Sequence, residues 1–267
     1  MSPHRAVIEA GPGAIRRLCC GADVVADTAV SAAALAAIDD QVALLDERPV
    51  AVDSLWFDAL RSVAVDHRDG PVVVHPSWWS AARVEVVTAA ARTLTRDVVV
   101  HPRSWLLRQA SSGVSAATVV VEIAERLVLV AGAEVAAVAR RTDAESVAGQ
   151  VGSVIARMTR GITAVVLIDV PSTVAGAAAL AAAIAGAVRG TGSSVVEIDG
   201  GRLARLARAA RRLPTSPPIR RRGLPPALGS RHLPGLRPPV SPWRYWRRLP
   251  WSATVRQPCK DHRRRFW

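Results

Sequence analysis

The sequence is poor in several residue types on which familiar functional sites depend. Lys260 is the only lysine among 267 residues, and there are three cysteines: the adjacent pair Cys19 and Cys20, and the distant Cys259. Such cysteines form neither a disulfide framework nor a pattern of metal-ligand spacing. They predict a reducing compartment and no metal site.

Common catalytic motifs are also missing. The chain has no Gly-x-Ser-x-Gly elbow, no Walker phosphate loop and no Ser/His/Asp set that sequence can assign. Ser115 and Ser172 have no neighbouring base that the sequence identifies. These absences favour a protein that is not an enzyme.

Long apolar runs are scarce. The opening MSPHRAVIEAGPG is too short of apolar residues for a signal peptide. The best candidate for a membrane span, 162–188, is interrupted by Asp169 and Pro171 and is rich in Ala and Gly rather than Leu. A buried strand followed by a packed helix is favoured, and the predicted location is cytoplasmic, with attachment to the inner face of the plasma membrane as an open alternative.

The net charge of +13 is concentrated at one end. Residues 211–267 carry 15 basic residues against one acid, whereas the first 210 carry 20 basic and 21 acidic residues. From Pro214 onward lie eleven of the 18 prolines and four of the eight tryptophans. We therefore predict one α/β domain over 1–212 and a disordered Arg/Pro/Trp-rich tail over 213–267.

Two explanations of the tail stay open. It is either a genuine basic segment or the product of a reading-frame shift near Leu213, which is the favoured explanation because out-of-frame GC-rich codons give this residue mixture. A genuine tail, with arginine triplets at 220–222 and 263–265 among aromatic residues, would bind nucleic acid or an anionic membrane without sequence specificity.

The stretch 71–108 organises the domain. It holds Val-Val-Val-His-Pro twice, ending at Pro76 and Pro102, with an amphipathic segment between the copies. β-Branched residues stopped by proline predict a short strand, so the stretch predicts two parallel strands joined by a crossover helix. The remaining patterns predict strands at 5–9, 14–18, 164–169 and 195–198, a hairpin turn at 46–49, a meander over 118–140, and helices at 29–38, 54–65 (capped by Asp53 or Ser54), 143–160 (capped by Asp143), 172–188 and 201–212.

Several positions are candidates for binding. Gly11-Pro12-Gly13 is either a phosphate-binding turn or a plain hairpin turn, and Glu9 either orients a metal-bound water or is a solvated carboxylate at a strand end, which is favoured. Asp199, Gly200 and Gly201 form either a nucleotide-side turn or the cap of the next helix.

Aromatic and histidine residues lie beside the repeated phrase. Trp78 and Trp79 follow a strand end and offer a surface for a protein partner, although at least one should fill the core. His75 and His101 occupy matching positions of the two phrases, and strand-end packing is favoured over a metal site.

The order of these pieces resembles the ATPase domain of the actin and heat-shock-chaperone superfamily. Glu9 to Gly13 stands at the first phosphate turn of that superfamily, and Val72–Pro76 followed by Arg83 stands at its second conserved strand and helix. The resemblance implies an abbreviated actin-like, ribonuclease H-like fold with mixed sheets. The second phosphate hairpin, Glu122 to Arg126, and the adenosine turn, Asp169 to Ser172, lack the expected glycines.

A closer resemblance covers Arg5 to Arg212. The phrases VIEAGPGAIRRL, RPVAVDSLW, VVVHPSWWS and EIDGGRLARLA resemble the actinobacterial type VII (ESX) secretion-associated family. This resemblance implies a non-catalytic accessory protein that contacts the secretion machinery or its substrates and has no cofactor. The alternatives are a weak switch that binds ATP and Mg²⁺ through Gly11, Gly13, Asp199, Gly200 and Gly201, and a nucleic-acid or membrane binder that uses the tail.

Overall fold

The computed structural model describes residues 4–20, 24–67, 69–111, 117–140, 143–160, 162–190 and 192–210. All of them belong to one compact unit that spans 1–215. The predicted tail, 213–267, lies outside the described residues. The unit consists of two successive halves, and each half contains a five-stranded mixed sheet.

The first half contains a meander, a small hairpin and the crossover unit predicted at 71–108. In chain order its elements are β1 Val7–Ala10, β2 Ile15–Arg17, β3 Val24–Val25, α1 Thr28–Ala36, β4 Val42–Leu45, β5 Arg48–Ala51, α2 Val52–Ala64, β6 Val72–His75, α3 Ala81–Leu94, β7 Val99–Pro102 and α4 Arg103–Arg108. A short 3₁₀ turn, Gln109–Ser111, closes this half.

The second half repeats the plan without the small hairpin and with one helix fewer before the parallel strands. Its elements are β8 Ala117–Ile123, β9 Leu127–Ala131, β10 Val135–Ala139, α5 Ala144–Thr159, β11 Ala164–Asp169, α6 Ala177–Arg189, β12 Ser194–Ile198 and α7 Gly200–Ala210.

The two sheets have the same topology. Their strand orders are β3-β2-β1-β6-β7 and β10-β9-β8-β11-β12. β1, β2 and β3 pair antiparallel, β6 pairs parallel to β1, and β7 pairs parallel to β6. The second sheet has the same pairing, with β8, β9 and β10 antiparallel, β11 parallel to β8, and β12 parallel to β11. This duplicated mixed topology confirms the predicted actin-like α/β fold.

Hydrogen bonds and register match the halves residue by residue. The Gly11 amide donates to the Ala14 carbonyl at 2.8 Å, and the Ala124 amide donates to the Leu127 carbonyl at 2.9 Å. Counting back two residues from each turn makes Glu9 of β1 equivalent to Glu122 of β8. Their parallel partners are Val74 in β6 and Asp169 in β11. The motif Val74-His75-Pro76-Ser77 is therefore the counterpart of Asp169-Val170-Pro171-Ser172.

The buried apolar residues form three clusters. One cluster packs α1, α2 and α3 on the first sheet, and another packs α5 and α6 on the second sheet. The third cluster lies between the sheets and includes Val74, Leu106, Leu167 and Leu203. Because α4 and α7 carry Leu106 and Leu203, the equivalent short helices of the two halves join the sheets.

Two predicted helix starts are wrong. Helix α2 begins directly after β5 with Ala51 as N-cap and no side-chain cap, and Asp53 lies in its first turn. Helix α6 begins at Ala177 rather than 172, because Gly176 has a positive φ of 69° that interrupts a helix. By contrast, Asp143 caps α5 as predicted, accepting from the amides of Glu145 and Ser146.

The two repeated phrases pair one residue out of phase. Val74 lies opposite His101, and His75 lies opposite Pro102. Since neighbouring residues of a strand point to opposite faces, the two histidines lie on opposite faces of the sheet. His75 stacks on Trp79 and His101 stacks on Trp105, as expected for strand-end packing.

The stretch 162–188, the best candidate for a membrane span, is divided between a strand and a helix, as favoured from the sequence. This stretch forms β11 and the thirteen-residue α6. Among the residues that the structure describes, none of the helices is both long enough and apolar enough to cross a bilayer.

Candidate functional site

A cleft of about 630 Å³ opens where the equivalent turns of the two halves face each other. One side is formed by the β1–β2 turn and the other by the β8–β9 turn, with α1 and the segment after β6 completing the walls. The cleft is lined by Gly11, Pro12, Gly13, Ala32, Leu35, Ala36, Pro76, Trp78, Trp79, Arg83, Ala124, Glu125, Arg126, Leu127, Thr173 and Val174.

Four of the predicted site residues therefore meet in this cleft: Gly11, Gly13, Trp78 and Trp79. The other three, Asp199, Gly200 and Gly201, do not line it. The Asp199 carboxylate accepts from the Arg202 amide at 2.7 Å and so caps α7. A Cβ at Gly200 would lie 3.5 Å from the Arg16 guanidinium, which places this turn beside Arg16.

The β1–β2 turn is packed against the other half of the protein. Gly11 and Gly13 have φ values of 88° and 78°, a conformation that favours glycine. A Cβ at Gly13 would lie 2.8 Å from the Cβ of Thr173, and the Thr173 hydroxyl donates to the Pro12 carbonyl at 2.7 Å. Turn geometry and close contact with Thr173 are therefore sufficient reasons for the glycines.

The β8–β9 turn presents side chains to the cleft rather than bare backbone. Ala124, Glu125 and Arg126 occupy it, and the Arg140 guanidinium holds the Ala124 carbonyl at 3.0 Å. This turn stands where the superfamily resemblance places the second phosphate hairpin. The negative charge of Glu125 would repel a phosphate there.

Beneath the cleft lies a buried network of charges centred on Arg103, the first residue of α4. Its guanidinium binds Asp169 through two hydrogen bonds of 2.7 and 2.9 Å and also pairs with Glu9. Glu9 pairs in addition with Arg16 of β2. Arg103, Asp169 and Glu9 are all at most 3% exposed. The preferred interpretation of Glu9 as a solvated strand-end carboxylate is therefore wrong, since β1 is the central strand of its sheet and both faces of it are covered.

Glu122, the counterpart of Glu9, has a different set of partners. Its carboxylate accepts from the Ser77 amide at 3.0 Å and from the Ser77 hydroxyl, which itself accepts from the Ser104 amide at 2.9 Å. Burial raises the pKa of Glu122 to about 7; the hydrogen bonds from Ser77 oppose this rise, and the nearby Asp169 carboxylate adds to it. Glu122 thus retains its proton in the folded protein at pH values where an ordinary glutamate is ionised.

The raised pKa predicts a specific pH dependence of stability. Between pH 4.5 and about 7 the unfolded chain loses the Glu122 proton while the folded protein keeps it, so the free energy of unfolding falls as pH rises. The expected loss is about 3 kcal/mol, since each pKa unit corresponds to 1.36 kcal/mol. Glu122→Gln should remove this component in denaturant titrations across the range.

The control for this prediction is Glu197→Gln, which changes an exposed strand residue. The pKa values of His75 and His101 are lowered by burial, so their contribution to stability is lost as pH falls. That contribution is common to the wild type and the variants and cancels in the difference. Equal pH slopes for wild type and Glu122→Gln would contradict the prediction.

The two tryptophans of the cleft have different environments. Trp79 packs edge-on against the buried Trp56 at 6.0 Å and belongs to the periphery of the first core. Trp78, equally half-buried, stands edge-on to Trp79 and does not belong to that core, and the Arg83 guanidinium lies 5.9 Å from its ring centre. Arg83 is held in turn by Asp39, with Nε 2.8 Å from Oδ1. Trp78 therefore presents a restrained aromatic surface at the rim of the cleft.

Sequence reasoning did not single out Arg103 as a site residue. The available signal was its position after Pro102, at the carboxyl end of a parallel strand, where buried polar groups of α/β sheets gather. Its partners lie 94 and 66 residues away in the chain, so no local pattern connects the three.

Comparison with known proteins finds structural similarity but no sequence family. No protein-family model matches the chain, and no curated protein matches it either. The ethanolamine utilization protein EutJ from Carboxydothermus hydrogenoformans is structurally similar, with 11% sequence identity, a TM-score of 0.43, and coverage of 79% of this chain and 90% of EutJ.

Proposed function

We propose that this chain is a non-catalytic protein of the actin-like fold class that acts through protein–protein contacts. The observation that carries the proposal is the ion pairing of Glu9 and Asp169 with Arg103 beneath the cleft. The type VII secretion context rests on the resemblance of its sequence phrases to that family, and the proposed partners are the secretion machinery or its substrates at the inner face of the membrane.

The arginine makes the carboxylates poor ligands for Mg²⁺. An incoming ion would have to replace Arg103 at Glu9 or Asp169 and deprive a guanidinium that is 2% exposed of one of its two counter-charges. Burying an uncompensated charge costs several kcal/mol. The remaining acid, Glu122, retains a proton up to about pH 7 and is bound by Ser77. These residues do not fit a magnesium–nucleotide complex.

The cleft walls support the same conclusion. Phosphate cradles need backbone amides that a ligand can approach closely, which is why glycine is typical of them. In this cleft Glu125 and Arg126 occupy one turn, and Thr173 packs against Gly13 of the other. We therefore propose that the cleft no longer serves a nucleotide and that its rim at Trp78 serves a protein partner.

Thermal unfolding with and without Mg-ATP tests the absence of nucleotide binding. A ligand at 100 times its Kd stabilises by about 2.7 kcal/mol, which raises Tm by roughly 5–10 °C in a domain of this size. We expect no shift at millimolar Mg-ATP or Mg-ADP for the full chain. A clear shift would overturn the proposal and favour the nucleotide switch.

Affinity capture from cells that contain a type VII system tests the partner. We expect components or substrates of that system to be recovered with the tagged wild type. Trp78→Ala should weaken binding to the recovered component by roughly tenfold to a hundredfold, the usual effect of removing a central interface tryptophan.

The matched control is Phe57→Ala on α2. Phe57 is also half-buried and also lies beneath an arginine, with Arg61 5.3 Å from its ring centre, but it does not line the cleft. Equal binding by wild type and Trp78→Ala would contradict the assigned surface. Recovery of nucleic acid or lipid alone, lost on deleting 214–267, would favour the tail-driven alternative.

A further inference from the structure

Four potential metal ligands converge at the end of the first sheet opposite the cleft. His4 precedes β1, Cys19 and Cys20 follow β2, and His67 follows α2. One donor atom from each lies within 4.8 Å of all the others. Because β1 and β2 are antiparallel, the residue before one strand and those after the other are neighbours in space.

The distances between donor atoms match those of tetrahedral zinc. The two sulfur atoms are 3.7 Å apart, and His67 Nε2 is 3.5 Å from each of them. His4 Nε2 is 3.6 Å from the Cys20 sulfur. Zinc bond lengths of about 2.3 Å to sulfur and about 2.1 Å to nitrogen give tetrahedral separations of roughly 3.8 Å between sulfurs and 3.6 Å between sulfur and nitrogen. These four contacts therefore need almost no rearrangement to bind the ion.

The imidazole of His67 is already oriented as a ligand. Its Nδ1 lies 3.1 Å from the Val65 carbonyl, to which it donates when Nε2 is the free acceptor nitrogen. Such a hydrogen bond to the second ring nitrogen is typical of metal-bound histidine. The same carbonyl accepts from the buried Arg17 guanidinium at 2.8 Å, which fixes its position. The rings of His4 and His67 stand at 82° to each other, so both nitrogens can be directed at one point.

We propose that His4, Cys19, Cys20 and His67 bind one zinc ion in a closed structural site. Two thiolates and two neutral imidazoles balance the charge of Zn²⁺, and each ion bound releases the two thiol protons to solvent. Sulfur and imidazole in a tetrahedral arrangement select zinc over oxygen-preferring cations such as Mg²⁺. With four protein ligands no position is left for substrate, and the ion would link the start of β1, the end of β2 and the segment after α2.

This proposal revises the expectation of no metal site. Zinc sites are usually recognised from paired ligands with two to five residues between them, and adjacent cysteines do not fit that pattern. The histidines lie 15 and 48 residues from Cys19 in the sequence, and only the fold brings them to it. The sulfur–sulfur distance of 3.7 Å also identifies Cys19 and Cys20 as separate thiols.

The first test is made on the full wild-type chain, so it does not depend on whether a variant folds. We expect one zinc ion per chain after purification with zinc and dialysis, measured by elemental analysis. Replacement by Co²⁺ should give the intense visible bands of a tetrahedral site together with thiolate-to-metal charge transfer. A folded chain that holds no metal, or a Co²⁺ spectrum of an octahedral all-oxygen site, would overturn the proposal.

Variants then assign the ligands. Cys20→Ser and His67→Gln should each lower zinc affinity by more than the roughly 10–100-fold that loss of a supporting hydrogen bond costs. Cys259→Ser and His232→Gln, which change the same residue types outside the described residues, should keep full zinc content and the Co²⁺ spectrum. If zinc content is the same in wild type, Cys20→Ser and His67→Gln, the metal is an adventitious ion only.

Stability supplies an independent measurement. Zinc at about 1,000 times its Kd should raise the wild-type Tm by roughly 10 °C, and a chelator should reverse the shift. The Tm of His67→Gln should not respond to either addition. A wild-type Tm that is unchanged by zinc and chelator would contradict a structural role.

Discussion

Arg103→Met should lower the free energy of unfolding by about 3–5 kcal/mol, the expected cost of removing one partner from a buried ion pair. Methionine fills a similar volume, so the loss comes mainly from charge rather than from a cavity. Without the guanidinium, Asp169 loses two hydrogen bonds and Glu9 loses one of its two arginine partners, while both carboxylates stay buried. Urea denaturation of the full chain measures the effect.

Neutralising the carboxylates should reverse part of this loss. In Arg103→Met combined with Glu9→Gln and Asp169→Asn, neither buried carboxylate is charged, and Arg16, which loses Glu9, is 24% exposed and can be solvated. The triple variant should therefore be more stable than Arg103→Met alone. Arg157→Met is the matched control, because Arg157 pairs with Glu134 on the surface with both side chains more than half exposed. Arg157→Met should lower the free energy of unfolding by about 0–1 kcal/mol. Equal costs for Arg103→Met and Arg157→Met would contradict the central position of Arg103.

Trp56→Ala should lower the free energy of unfolding by about 3–5 kcal/mol, because Trp56 is the largest fully buried side chain among the described residues. Trp56 lies on α2 in the first core, and its ring supports Trp79 edge-on. Loss of the ring leaves a cavity and removes the contact that holds Trp79 in place. Thermal or chemical unfolding measures the change, and a Tm decrease of roughly 10 °C is expected.

Trp56→Phe separates packing from polarity at the same position. Within the described residues the indole nitrogen of Trp56 has no hydrogen-bond partner, so phenylalanine removes an unsatisfied donor while filling much of the space. The expected cost is well below that of alanine, at about 1–2 kcal/mol. Trp78→Ala, at the half-buried rim, should also cost less than Trp56→Ala. If Trp56→Ala and Trp78→Ala had equal effects, the assignment of Trp56 to the core would be wrong.

The proposed zinc site and the cleft lie at opposite ends of β1. Arg17, on the strand next to β1, supports the Val65 carbonyl at the zinc end, and its neighbour Arg16 binds Glu9 at the cleft end. A structural ion at one end would therefore stabilise the strand pair on which Glu9 is held, without itself taking part in any contact within the cleft.

Patterns of short range predicted most of the elements in order, but not β3 or α4. β-Branched runs stopped by proline located β6 and β7, apolar runs separated by charged residues located the meander of the second half, and an acidic cap located α5. The wrong starts of α2 and α6 depended on local backbone: a strand that continues directly into a helix, and a glycine with positive φ. The Gly11-Pro12-Gly13 turn and the Asp199 cap needed only neighbouring residues and were predictable for that reason.

By itself, then, the sequence determined the α/β class, the parallel crossover at 71–108 and the loss of glycine from the second turn, since each depends on residues close together in the chain. Only the tertiary structure decided that Glu9 is buried against Arg103, that the two histidines of the repeated phrase face apart, and that Cys19 and Cys20 meet His4 and His67. In each of these cases partners dozens of residues apart are brought together by strand order and register. A single-residue shift of register reverses the face of a side chain, and neither order nor register can be read from the local pattern.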